Sequence, residues 1–105
     1  GGRLQWRGFT MGAELGTPVT AVFRGRVVFA DWLRGFGLMT IIDHGEGYMT
    51  MYGFCDNLSK KTGDWVESGE TIASAGNSGG QQEPGIYFEL RHEGIVRDPA
   101  KWINL

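Results

Sequence analysis

No apolar stretch in this 105-residue chain approaches the roughly 18 residues of a membrane-crossing helix, and no run of lysine or arginine marks a phosphate track. The formal net charge of -2 gives no long-range pull on nucleic acid. Neither a membrane-spanning role for the domain nor a nucleic-acid partner is therefore expected. One cysteine, Cys55, permits no internal disulfide and leaves the redox compartment open. The histidines number two, so His44, His92 and Cys55 are the whole supply of nitrogen and sulfur metal ligands. Gly1-Gly2-Arg3 has none of the parts of a signal peptide. The chain is expected to be the C-terminal part of a longer secreted protein, with any export signal upstream and Gly1 and Gly2 an excision scar.

Glycine is plentiful. The 18 glycines fall as punctuation between short apolar runs, a pattern of many short strands joined by turns. The length suits one domain over residues 1–105, and 13 aromatic residues support a packed core. Strands are expected over Thr17–Phe23, Arg26–Leu33, Leu38–Asp43 and Tyr48–Phe54, the last two forming a hairpin across His44-Gly45-Glu46-Gly47. Within residues 58–75, Gly63–Ala73 reads as a second hairpin around Ser68-Gly69-Glu70; residues 76–80 read as a loop, and Ile86–Arg91 as a further strand before a turn at His92-Glu93-Gly94. No helix of ordinary length fits. A single turn over 100–105 is expected to dock Trp102 and Ile103, and the whole reads as a compact antiparallel β sandwich or open barrel.

Alternation assigns faces before any fold is known. In the strand near the end of the chain, Gly85, Tyr87, Glu89 and Arg91 share one side, while Ile86, Phe88 and Leu90 share the other and fill the core. Both histidines lie in expected turns beside glycine, where a structural role outweighs a metal one. Cys55 reads as a buried small residue rather than a nucleophile, and Asp64 and Glu67 as solvated turn charges.

Four segments resemble the LytM or M23 family of zinc peptidases, which cleave peptide cross-links in peptidoglycan. They are Trp6-Arg7-Gly8-Phe9-Thr10 with Gly16-Thr17-Pro18-Val19; Gly35-Phe36-Gly37 with His44-Gly45 and Tyr52-Gly53-Phe54; the run from Gly63 to Gly76; and Gly85-Ile86-Tyr87-Phe88-Glu89. The resemblance implies an all-β LytM fold of the duplicated hybrid motif type. It also implies that the metal-ligand positions are Trp6, Thr10 and Tyr87, and the catalytic histidine positions Phe54 and Gly85. A catalytic zinc takes about three ligands of the His, Asp, Glu or Cys type, so none of these five can serve. No metal or other cofactor is expected, and the chain is expected not to be an enzyme.

The pattern of loss resembles the EnvC group of amidase activators, through Gln5-Trp6-Arg7-Gly8, Ala30 to Leu38 and Ile86 to Arg91. That resemblance implies a periplasmic protein of the division septum. It would bind a zinc-dependent N-acetylmuramoyl-L-alanine amidase through the degenerate groove, displace its autoinhibitory helix, and so activate septal peptidoglycan cleavage. The implied contacts are Arg7, Thr10, Phe36, Met39, Tyr87 and Arg91. An absent upstream coiled coil would reach the division complex FtsEX, and peptidoglycan is a further implied partner. Two burial readings compete with contact: Phe54 and Trp6 are expected to plug the dead cavity, Tyr87 and Arg91 to interact. Alternatives are a peptidoglycan-binding module using the same groove, and an M23 metallo-endopeptidase with unusual ligands. The run from Gly63 to Gly76 also looks like the hairpin of biotinyl or lipoyl carriers, without their modified lysine.

Overall fold

The computed structural model describes residues 8–98. Nine strands follow one another: β1 (Phe9–Gly12), β2 (Pro18–Thr20), β3 (Gly25–Leu33), β4 (Gly37–Gly45), β5 (Tyr48–Leu58), β6 (Trp65–Val66), β7 (Thr71–Ala75), β8 (Gly85–His92) and β9 (Ile95–Arg97). No helix occurs among the described residues. The expected turn at 100–105, with Trp102 and Ile103, lies outside them, as do Trp6 and Arg7. All pairings are antiparallel and the main path runs β1-β8-β5-β4-β3-β6.

β5 organises the sheet. One edge pairs with β4; along the other, residues 48–53 pair with β8 while Cys55, Asn57 and Leu58 pair with β7, which carries β2. Phe54 sits at the changeover. Its φ is 64°, a left-handed conformation that costs a side-chain-bearing residue about 1–3 kcal/mol, and its N–H leaves the ladder to donate to the Phe36 carbonyl at 2.7 Å. The β4 register slips by one at the same place, between Leu38 and Thr40, as a bulge should make it.

The second expected hairpin does not form. A turn does close at Glu67–Glu70, with the Glu70 N–H on the Glu67 carbonyl at 3.0 Å, but the chain after β2 wedges across it. Ala21 exchanges backbone hydrogen bonds with Gly69 and Glu70, and Ser68 Oγ donates to the Val22 carbonyl at 3.2 Å. β6 therefore joins β3, and β7 joins β2 and β5. The strand expected over Thr17–Phe23 is correspondingly cut to Pro18–Thr20. His44 and His92 lie in the last residues of β4 and β8 rather than in turns.

The core gathers on one face, with Val27, Ile42, Tyr52, Ile72, Ile86, Phe88 and Leu90 buried together. Each such side chain contributes about 1.5–3 kcal/mol through burial. A hydrogen-bond relay crosses this core. His44 Nδ1 faces the Arg24 carbonyl at 3.0 Å, so that nitrogen carries the proton; Nε2 then accepts from Thr50 Oγ1 at 2.7 Å. Thr50 in turn accepts from Tyr52 Oη at 2.8 Å, and Tyr52 Oη accepts the Val22 N–H at 3.3 Å. Every polar atom of the relay is matched, and both histidine nitrogens are taken up in it.

Candidate functional site

The opposite face of the sheet is where the sequence placed the groove. Thr10 of β1 lies opposite Tyr87 of β8, and Tyr87 opposite Gly53 of β5. Gly53 has no side chain, and the space above it is filled by Tyr87, Phe36 and Met39: a Cβ there would lie 3.3–3.5 Å from all three. Three rings close over this point, Phe36 and Tyr87 at 4.8 Å between centroids, Phe54 and Tyr87 at 5.8 Å, Phe36 and Phe54 at 6.5 Å. Tilted and offset rings at these distances attract beyond their burial.

Local sequence explains how Phe36 gets there. It lies between Gly35 and Gly37, both at positive φ, in the loop joining β3 and β4. That loop is held by its neighbour at 76–80: Ser78 Oγ accepts the Leu38 N–H at 3.1 Å and donates to the Cys55 carbonyl at 2.7 Å. Any Cβ at Gly37 would collide with Ser78.

Along β8, the three polar residues expected on one face form a chain. Tyr87 Oη donates to Glu89 Oε1 at 2.5 Å, and Arg91 Nε donates to Glu89 Oε2 at 2.5 Å. The Glu89 side chain is 6% exposed and that of Arg91 40%, so the carboxylate is sunk and the guanidinium reaches solvent. Burial, helped by the bond to Glu89, pushes the Tyr87 hydroxyl up to about 12. Its oxygen also takes a hydrogen bond from the Gly8 backbone, which can approach because a Cβ on Gly8 would fall 2.5 Å from the phenol.

The structure thus brings together Thr10, Phe36, Met39, Phe54 and Tyr87, with Glu89 and Arg91 following along β8. Met39 is 1% exposed and lies beneath Phe36, so it supports the surface and does not form it. Phe54 is buried as expected. Gly85 faces β1 so closely that a Cβ would come within 2.4 Å of the Met11 carbonyl oxygen. Among the described residues no group of three His, Cys, Asp or Glu is placed to hold a metal ion. Cys55 is buried, and burial pushes its thiol up to about 12, which makes it a poor nucleophile.

Sequence reading missed the breadth of this face. Cross-strand register extends it in rows, Glu89–Met51–Ile41–Phe29 and Arg91–Met49–Asp43–Arg26–Trp65. Phe29, Ile41, Met49 and Met51 are half-buried there, on the side opposite the core. The signal was present in β4 and β5, where threonines (Thr40, Thr50) take core positions and Ile41, Met49 and Met51 take the positions a solvated face would give to polar residues.

The family model described as Peptidase family M23 matches residues 4–99. The chain belongs to peptidase family M23. It is 43% identical over 103 residues to the murein hydrolase activator EnvC of Escherichia coli, covering 98% of this chain and 25% of that protein. To the murein hydrolase activator NlpD of Salmonella typhimurium it is 30% identical over 98 residues, covering 92% of this chain and 26% of that one. The chain thus spans about a quarter of these relatives. Among solved structures, the catalytic domain of lysostaphin from Staphylococcus simulans superposes with a TM-score of 0.86 at 25% identity, covering 93% of this chain and 78% of that one. The M23 fold expected from the sequence is therefore the fold observed.

Proposed function

We propose that this chain is a non-catalytic M23 domain that activates a zinc-dependent N-acetylmuramoyl-L-alanine amidase in the periplasm, during septal peptidoglycan cleavage. The observation that carries this reading is the ring cluster of Phe36, Phe54 and Tyr87, flanked by the tethered Arg91. It stands where the M23 resemblance puts metal ligands and catalytic histidines. Aromatic rings and an arginine held in place by neighbours are the residue types of protein interface hot spots. Likeness to proteins named as murein hydrolase activators supports the same reading.

In this mechanism Tyr87, Phe36, Thr10 and Arg91 form the contact surface, with Met39 and Phe54 as its bed and Arg7 a further contact. The partner's autoinhibitory helix, displaced from its own active site, lays an apolar stripe on the rings and an acidic residue near Arg91. Because only the displaced helix can bind, binding energy shifts the amidase toward its open state without any covalent step. Dye-labelled sacculi provide the test. The amidase with this chain should release dye well above the amidase alone, and this chain alone should release none. Tyr87→Ala and Arg91→Glu, each shown to be folded, should lose most of the stimulation; full stimulation by both would refute the groove assignment.

A further inference from the structure

We infer that the outer edge of β3, from Phe29 to Leu33, is a docking edge for an extended segment of another protein that carries a basic residue opposite Asp31. Among the described residues β3 has β4 along one side. On its other side it has β6 at Gly25 and Arg26, and the Gly63–Asp64 backbone, which exchanges hydrogen bonds with Val27. Beyond the bulge between Val27 and Phe29 no described strand pairs with that side. Five residues of extended backbone cover about 17 Å there.

Alternation decides which backbone groups face outward. The Leu33 carbonyl accepts the Phe36 N–H at 2.9 Å, which turns Leu33 toward β4, and Asp31 with it. Trp32 and its partner Leu38 then form a pair without mutual hydrogen bonds, and Leu38 does spend its N–H elsewhere, on Ser78 Oγ at 3.1 Å. Ala30 and Trp32 therefore turn N–H and C=O away from β4. The Trp32 N–H rests on Asp31 Oδ1 at 2.7 Å, a local bond that a pairing strand would replace.

Proteins guard a free sheet edge with lysine, proline or short length. Residues 28–33 contain neither lysine nor proline, and they expose Val28 (41%), Trp32 (57%) and Leu33 (38%). Apolar surface beside unpaired backbone suits strand addition, in which main-chain hydrogen bonds give affinity and alternate side chains give selectivity.

Charge decides the occupant, and it disfavours a second copy of this chain. Outward residues pair with outward residues, so a two-fold β3–β3 pair sets Ala30 against Ala30, Ala30 against Trp32, or Trp32 against Trp32 of the other copy. In the second register the two Asp31 carboxylates face each other directly, and in the other two they are diagonal neighbours, so like charges meet in every case. A cation opposite Asp31 reverses that sign. Phe29 and Leu33 share the Asp31 face, so the partner's residues two places to either side of its cation are apolar.

NMR titration of the isotope-labelled chain with the capped peptide Thr-Val-Thr-Lys-Val-Val-Thr, whose antiparallel register sets the lysine against Asp31, tests the edge. Saturable shifts at β3, with the Ala30 amide protected from exchange, are expected. The same peptide with glutamate for lysine should bind at least about threefold more weakly. Asp31→Lys should reverse that preference, and Ala30→Pro, which removes an outward donor, should weaken both peptides about tenfold. Asp31→Lys alters no backbone group and carries the test should Ala30→Pro fail to fold. No peptide binding by the wild type would overturn the inference, as would equal binding of the two peptides or shifts centred on Phe36 and Tyr87. A dimer of the peptide-free chain in sedimentation, dissociated by Ala30→Pro, would overturn it by making a second copy the occupant. The dye-release assay judges the ring cluster separately in each case.

Discussion

Tyr87 and Glu89, two residues apart on one face of β8, share a 2.5 Å hydrogen bond in which the phenol donates to a carboxylate that is almost wholly buried. Glu89 has its other oxygen on Arg91, so the two residues proposed to meet a partner are joined through a third that cannot. Tyr87→Phe keeps the ring but strands one carboxylate oxygen. It should lower stability by about 1–3 kcal/mol, read from the urea midpoint, while retaining more stimulation than Tyr87→Ala.

Phe54 should invert a familiar order. Glycine normally destabilises a strand relative to alanine, yet at φ 64° alanine keeps the strain and glycine relieves it. Both lose the buried ring, at about 3–5 kcal/mol, and Phe54→Gly is expected to be the more stable of the two. Equal midpoints, or alanine ahead, would show that the backbone at this changeover relaxes.

The His44–Thr50–Tyr52 relay predicts coupling between residues that do not touch. His44→Ala leaves the Thr50 hydroxyl without its acceptor, and Tyr52→Phe leaves the Val22 N–H without its own. Each should cost about 1–3 kcal/mol. The double mutant should cost less than the two added, by about 0.5 kcal/mol or more; strict additivity would mean that the relay acts as separate bonds.

Alkaline pH should unfold the chain earlier than its carboxylates and lysines would suggest. Burial holds Tyr52, Cys55 and Tyr87 at about 12 in the fold, against ordinary values of 10.0 and 9.0. A group whose folded value is raised stabilises fully below its unfolded value, and that stability is lost as pH rises through the folded one. The urea midpoint should therefore hold up to about pH 9 and fall between 9 and 12. Tyr52→Phe should flatten the fall, and a midpoint constant to pH 12 would remove the burial argument.

The parts of the fold legible in sequence were those written in alternation and glycine. The β4–β5 hairpin, the inward set of Ile86, Phe88 and Leu90, and the loop at 76–80 all follow from local pattern. The Gly63–Gly76 segment misled because its turn is real while its strand partners come from elsewhere; a wedge by Ala21 and Val22 is a tertiary fact with no local signature. At the site, the shared face of Tyr87, Glu89 and Arg91 followed from alternation along β8, whereas burial went against the expected contact at Met39. That a ring would lie over it depends on the Phe54 bulge, which no residue in the sequence announces.

Gly85 sets how closely two strands approach. β1 lies against it so closely that no side chain fits without moving that strand. If an ancestral peptidase carried a histidine there, restoring the imidazole would now require shifting a strand as well as changing a codon. A single Gly85→His substitution should thus lower the unfolding midpoint and confer no hydrolysis of cross-linked muropeptides. The bare backbone at Gly85 is thus what lets β1 lie down against β8, and any side chain there trades that strand contact for its own volume.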